Sequence, residues 1–224
     1  MTIALTGDGF ARSVIARAAD RFGRLNGVRP RVIMSKPDGA PDGVHPAFYK
    51  AWLWDMVPAR VDRIMYIDFD VIPVRPLGEI PDCTFGACIG TTSMRIMSAH
   101  LPYIRRAQKY FNTGVFLAHR DTKPYFDQLK AFASTRETSM MRHMEQCTLN
   151  LLLQPAVKIL TLPDEWNYQI TIPNVTTVAE PKLIHASAYG NRRWSLLSFL
   201  LDRLDSAELG QSLGDLVGAE DING

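Results

Sequence analysis

Apolar residues recur along this chain in two rhythms, one of period two and one of helical spacing, and together they predict alternating strands and helices. Thr2 to Thr6 reads as an opening strand, followed by a Gly7-Asp8-Gly9 turn. Phe10, Val14, Ile15, Ala18, Ala19, Phe22 and Leu25 then fall on one helical face, closed by Asn26-Gly27. Arg31 to Ser35 predicts a second strand, and a loop rich in Pro, Gly and Asp runs from Pro37 to Pro46. A helix is expected over Ala47 to Met56, stopping before Pro58. The apolar, partly β-branched run Arg63 to Phe69 suits a central strand buried on both faces. Pro73, Pro76 and Pro81 mark a loop or edge structure after it. Gly114 to Ala118 predicts a strand, and Pro124 to Ser134 a helix with Asp121 and Thr122 as caps. A helix over Met141 to Leu153, strands at Val157 to Leu162 and Lys182 to Ala186, and a helical stripe from Trp194 to Leu204 complete the series.

Strands alternating with helices predict an α/β fold with a mainly parallel, mixed central sheet flanked by helices. In such sheets ligands gather at the carboxyl ends of strands. At 224 residues the chain suffices for one well-buried core, so one domain is expected over residues 1–205. The Gly-rich, acidic remainder, 206–224, reads as a loosely ordered tail. The stripe at 194, 196, 197, 200, 201 and 204 is expected to pack against the sheet. A membrane-surface role for it, helped by Arg192 and Arg193, is the minority alternative.

Charge and composition narrow the functional classes. Hydrophobic residues make up 46% and charged residues 21%, ordinary for a globular protein. A net charge of +2, with both signs spread along the chain, lacks the basic footprint of a nucleic-acid binder. The longest apolar stretches, Leu149 to Leu153 and Leu196 to Leu201, fall far short of the roughly 20 residues that cross a bilayer. The first residues lack the features of a secretory leader, which predicts a cytoplasmic protein. Cys83, Cys88 and Cys147 form no Cys-x-x-Cys pair and are expected to be reduced thiols.

The candidate chemistry begins with Asp68 and Asp70. Carboxylates at i and i+2 of a strand share one side, with Phe69 on the other, so the pair can hold one cation. Two unpaired negative charges beside an apolar run are costly without a counter-charge, which a hard divalent ion supplies. The signal is weak alone: with 16 Asp in the chain, roughly one such triplet arises by chance.

Further blocks make the pattern specific. IALTGDGF, FYKAWLWDMVPARVDRIMYIDFDVIPVRPL, YFNTGVFLA, EQCTLNLLL, LPDEWNY and LIHASAYGNRRW follow one another between Thr2 and Trp194. In that order they resemble the glycogenin and lipopolysaccharide galactosyltransferase group, glycosyltransferase family 8. The resemblance implies a GT-A fold, a single nucleotide-sugar-binding domain, a UDP-sugar donor, manganese (or magnesium) and retention of anomeric configuration. It implies that Thr6 and Asp8 hold the uracil and ribose, and that Lys50 contacts phosphate. By the same likeness Asn112 and Thr113 touch the transferred sugar, Glu145 and Gln146 are the catalytic pair beside it, positioning it and stabilising positive charge at its anomeric carbon, and His185 joins Asp68 and Asp70 on the metal.

Two departures stand out. Glu145 replaces the family's usual Asp, and Gly190 lies five residues after His185, leaving Arg192 or Arg193 as the basic group for the diphosphate. The acceptor implied is a carbohydrate, a lipid-linked sugar or a protein. Two rival readings stay open here, a sugar-1-phosphate nucleotidyltransferase and a non-catalytic nucleotide-sugar-binding protein. The first is disfavoured because residues 6–12 lack its Gly-rich, Arg- and Lys-bearing loop.

Overall fold

The computed structural model describes residues 2–3, 9–89, 110–133, 144–170, 180–186 and 193–206. Nine strands form two sheets among these residues. The larger orders β2 (Val32–Ile33), β1 (Thr2–Ile3), β3 (Arg63–Asp68), β6 (Phe111–His119), β5 (Phe85–Ile89) and β7 (Ile159–Thr161). Five of these strands run one way and β6 alone runs the other, antiparallel to both β3 and β5. The expected mixed, mainly parallel α/β sheet is therefore present.

The second sheet was not anticipated. It orders β4 (Val71–Pro73), β9 (Leu183–His185) and β8 (Tyr168–Gln169). The Pro-punctuated stretch after Asp70 thus begins as a buried strand, and the final predicted strand belongs here rather than to the main sheet.

β6 shows why the sheet is covered on both sides. Phe116 and Ala118 face one core with Tyr66, Phe85 and Phe126, whereas Val115 and Leu117 face another with Ile67, Leu162 and Trp166. Period-two alternation sends an apolar residue to each layer, which only a strand buried on both faces tolerates. Tyr66 and Phe116 stack at 4.8 Å between ring centres, locking β3 to β6.

The helices follow the predicted stripes with shifted ends. α1 (Gly9–Asn26) buries Ala11, Val14, Ile15, Ala18 and Ala19, and Gly27 ends it at φ 65°, the left-handed position glycine takes without penalty. The helix expected at Ala47 to Met56 is instead a 3-10 helix, Pro46–Trp52, continued by one α turn, α2 (Leu53–Met56). Its residues 48–54 are all buried, so the core rather than a polar face sets its winding. α3 (Lys123–Ala133) grows from a 3-10 turn capped by His119, whose Nδ1 accepts from Asp121 N, while Thr122 Oγ1 donates to the His119 carbonyl. His119 thus caps the 3-10 turn that leads into α3.

α4 (Met144–Leu153) and α5 (Arg193–Ser206) complete the described α-helices. α5 buries Leu197, Leu200, Leu201 and Leu204 against Val14 and Ala18 of α1 and Ile72 and Ile184 of the small sheet. Arg17 and Arg21 clasp its far end through Asp202 and Asp205 at 2.8–3.2 Å. The stripe offered to a membrane in the minority reading is thus spent on the core. No helix among the described residues is long and apolar enough to cross a membrane. The proposed tail lies outside the described residues from 207 onward.

Candidate metal centre

The site forms where the reversed strand β6 meets the carboxyl end of β3. Because the two are antiparallel, with Ile67 opposite Val115, the first residues of β6 lie beside Asp68. β3 stops at Asp68, and Asp70 follows in the turn leading to β4. The two acids therefore converge through a strand end and a turn, rather than along one continuous strand. β9 pairs with β4 so that Val71 faces His185, and Ala186 N donates to the Asp70 carbonyl at 2.9 Å. Asp68, Asp70 and His185 thereby bring one ligand atom each to within 4.8 Å of one another. Asp70 Oδ1 is 3.2 Å from His185 Nε2.

The imidazole's other nitrogen is fixed by a chain of amides. Gly114 N can only donate, and it donates to Asn112 Oδ1 at 2.7 Å. Asn167 Nδ2 donates to that same oxygen at 2.7 Å, so Asn167 turns its carbonyl oxygen toward His185 Nδ1, 2.9 Å away. Nδ1 must then carry a proton, and in the neutral ring Nε2 presents its lone pair toward the acids. This is the tautomer a metal ligand needs.

A second cluster abuts the first. Lys50 is 2% exposed, and its Nζ donates to Thr113 O, Thr113 Oγ1 and Glu145 Oε1 at 3.1–3.2 Å. All three ammonium protons are used inside the protein, and Asp68 lies 3.7 Å away. Thr113 Oγ1 donates to Glu145 Oε1 at 3.1 Å, and Thr113 N to Gln146 Oε1 at 3.1 Å. Gln146 Nε2 donates to Tyr110 OH at 2.8 Å. Glu145 Oε2 is buried and has no hydrogen-bond partner among the described residues. Asn150, from the same helix, secures the start of β6 by bonding Phe111 N and O at 2.9 Å each.

Charge and burial oppose one another here. Burial works against an imidazolium at His185, but the charges of Asp70 and Asp68 outweigh it and raise its pKa. Burial likewise works against ionised Asp70, yet His185 and then Arg193 hold its carboxyl below the usual range. Asp68 goes the other way: burial lifts it more than Lys50 lowers it, and Asp70 adds a like charge. Lys50 is nonetheless held charged, because Asp68 and Glu145 exceed the desolvation that would lower it. The ends of the Lys50–Asp68 pair differ because Glu145 adds to the support of the ammonium, whereas Asp70 adds a like charge beside the buried Asp68. Tyr66 donates its hydroxyl to Asp68, and burial first, then Asp68, push its own pKa well up.

Two carboxylates and an imidazole thus offer the oxygen and nitrogen ligands that suit a divalent ion.

The family model for glycosyl transferase family 8 matches residues 36–188, more than half of the chain. This protein belongs to glycosyl transferase family 8. No curated protein matches it by sequence. Among solved structures, a glycosyltransferase involved in glycosylation of the major capsid of PBCV-1 aligns with TM-score 0.62 at 12% identity, covering 88% of this chain and 97% of that one. Galactosyltransferase LgtC, in complex with donor and acceptor sugar analogs, aligns with TM-score 0.56 at 15% identity over 96% and 99% of the two chains. Mouse xyloside xylosyltransferase 1 aligns with TM-score 0.53 at 11% identity over 83% and 96%. At these identities the likeness establishes the shared fold.

Of the glycosyltransferase's anticipated site residues, Asp68, Asp70 and His185 meet in one cluster, and Lys50, Thr113, Glu145 and Gln146 in the adjoining one. Asn112 joins the first through its amide oxygen, and Arg193 through Asp70, at 3.2 Å. Thr6, Asp8, Gly190 and Arg192 lie outside the described residues. Sequence reasoning overlooked the supporting residues Tyr66, Asn167 and Gly114. Gly114 offered a readable signal, a glycine inside an otherwise buried strand, which marks close approach by another group. A Cβ there would sit 2.3 Å from His185 Cε1 and 2.9 Å from Asn112 Oδ1. Gly114→Ala is therefore expected to displace the imidazole, weakening Mn2+ binding by about 10–100-fold and lowering stability by about 1–3 kcal/mol. Mn2+ titration alongside urea unfolding would measure both, and unchanged affinity would contradict the packing argument.

Proposed function

We propose that this family 8 protein is a retaining hexosyltransferase that moves a hexose from a UDP-sugar to an acceptor, with Mn2+ or Mg2+ held by Asp68, Asp70 and His185. The observation that carries the reading is the convergence of two carboxylates on an imidazole whose Nδ1 is pinned and whose Nε2 faces them. When bound, such an ion supplies Lewis-acid stabilisation of the charge growing on the departing nucleoside diphosphate.

The chain's own groups then have distinct tasks. Arg193 adds a cation for the diphosphate, whose oxygens match a guanidinium fork. Lys50, with its donors turned inward, is the counter-charge beside Asp68 and Glu145 and holds Glu145 in place through its ammonium. Glu145 Oε2, buried and unpartnered among the described residues, is the acceptor for a hydroxyl of the donor sugar. A buried acceptor left unsatisfied costs about 1–3 kcal/mol, so a substrate hydroxyl that fills it is selected for. Asn112 keeps its amide nitrogen for the same sugar. Gln146, its amide spent on Thr113 N and Tyr110 OH, positions β6 against α4. Thr6 and Asp8 toward the base and ribose, and Gly190 and Arg192 toward the phosphates, are assigned by resemblance.

Glu145 Oε1 is shared between an ammonium and a hydroxyl, which dulls it as a nucleophile. Front-face return of the acceptor hydroxyl, with its proton passing to the departing phosphate oxygen, accords with that. The test is a panel of UDP-hexoses incubated with the protein, with and without Mn2+. At least one sugar is expected to give UDP release that EDTA abolishes. If none does, even at high enzyme concentration, and none stabilises the protein thermally, the proposal is wrong.

A further inference from the structure

Arg193 sits where the ion's charge is needed. Its Nη1 is 3.2 Å from Asp70 Oδ2, while His185 Nε2 is 3.2 Å from Oδ1, so both oxygens of Asp70 are engaged. The guanidinium lies 5.0 Å over Phe69 and 5.2 Å over Trp194, two rings that stack at 5.4 Å. Phe69 is the middle residue of the Asp-x-Asp triplet, and Trp194 is Arg193's own neighbour. The two aromatic faces thus form a shelf that aims the cation at Asp70. Its hold is partial. Nε is buried without a hydrogen-bond partner among the described residues, and the side chain is 20% exposed.

We propose that Arg193 occupies Asp70 in the metal-free protein and is transferred to the donor's diphosphate when the ion binds. The inference rests on the metal centre proposed above. A carboxylate that takes a divalent ion on either oxygen holds a guanidinium less firmly, because the two cations repel across it and the ion draws off its charge. Metal binding therefore weakens the Arg193–Asp70 contact. The guanidinium then turns its fork to the phosphate oxygens, a better partner than one carboxylate oxygen. Ion and nucleoside diphosphate consequently strengthen each other's binding, and that coupling is reciprocal.

The test is a Mn2+ titration of wild type, Arg193→Gln and Asp70→Asn, each with and without saturating UDP. Without UDP, Arg193→Gln is expected to bind Mn2+ about fivefold more tightly, as loss of a modest ion pair allows. With UDP, the tightening seen in wild type is expected to shrink by about tenfold. A local reporter separates transfer of the side chain from mere loss of a nearby charge. Mg2+ alone should change the emission of Trp194, taken as wild type minus Trp194→Phe, and the change should vanish in Arg193→Gln. Arg193→Lys guards against misfolding: keeping the charge without the planar fork, it should bind Mn2+ within about twofold of wild type yet lose much of the UDP coupling.

If wild type binds Mn2+ in an Asp70-dependent way but Arg193→Gln binds it no more tightly, the transfer is refuted and the metal centre survives. If Mn2+ binding is absent, or indifferent to Asp70→Asn, both fall together.

Discussion

Asp70→Asn is expected to lower metal-dependent UDP release by roughly 10^3-fold, the equivalent of about 4 kcal/mol of transition-state stabilisation. Asp70 is the central member of the candidate site, since its two oxygens meet His185 and Arg193 and its carbonyl accepts from Ala186 N. The amide keeps the shape and the backbone bond but removes the charge that draws the ion. His185 can shed its proton and Arg193 retains its aromatic shelf, so the fold should survive a loss of about 1–3 kcal/mol.

The pH dependence of the metal-free protein gives a second readout. Asp70's pKa is lowered by folding, so its contribution to stability is present above the ordinary carboxylate range and is lost as pH falls through the lowered value. His185's pKa is raised, so its contribution is complete below about 6.5 and disappears as pH rises through the raised value. In Asp70→Asn both slopes should flatten. Urea unfolding across pH with EDTA present, and UDP release with Mn2+, check the two halves. Full turnover by a folded Asp70→Asn protein would remove the metal centre from consideration.

Lys50→Met should produce the largest loss of stability, about 3–5 kcal/mol, because it strands two carboxylates rather than deleting one favourable contact. Lys50 is buried, 3.1 Å from Glu145 and 3.7 Å from Asp68, and methionine fills its volume without its charge. Its raised pKa means that its contribution is complete at neutral pH and is lost only as pH climbs past the raised value. Adding Glu145→Gln should recover part of the loss, since one of the two stranded carboxylates is then gone, and the cycle measures that coupling. A single-variant loss under about 1 kcal/mol would mean that Lys50 is a surface-like lysine and not the site's counter-ion.

Much of the local structure was legible in the sequence, for identifiable reasons. The helical stripe of α1 and the Asn26-Gly27 stop mark a face and an end that depend on residues within a few positions of each other. The β3 run announced a doubly buried strand through its apolar content. The 3-10 winding at Pro46–Trp52 was not legible, because a segment buried on nearly every side, Lys50 included, carries no polar face to time its period. His119 as a cap escaped for a different reason: its imidazole acts only because the strand before it ends in an extended backbone that aims the ring at Asp121 N.

The candidate site divides along the same line. By itself the sequence determined which ligand chemistries are present and in what order, with two carboxylates separated by one residue, a buried-strand glycine directly after an amide and a hydroxyl side chain, and a later imidazole. Tertiary structure decided that they meet. Reversal of β6 sets Asn112, Thr113 and Gly114 beside Asp68, and the β4–β9 pairing sets His185 against Asp70. It also turned Lys50 inward and made the Gly114–Asn112–Asn167 chain that fixes the imidazole proton. Periodicity reports burial over a few residues, whereas these contacts exist only once strands far apart in the chain have chosen their direction and register.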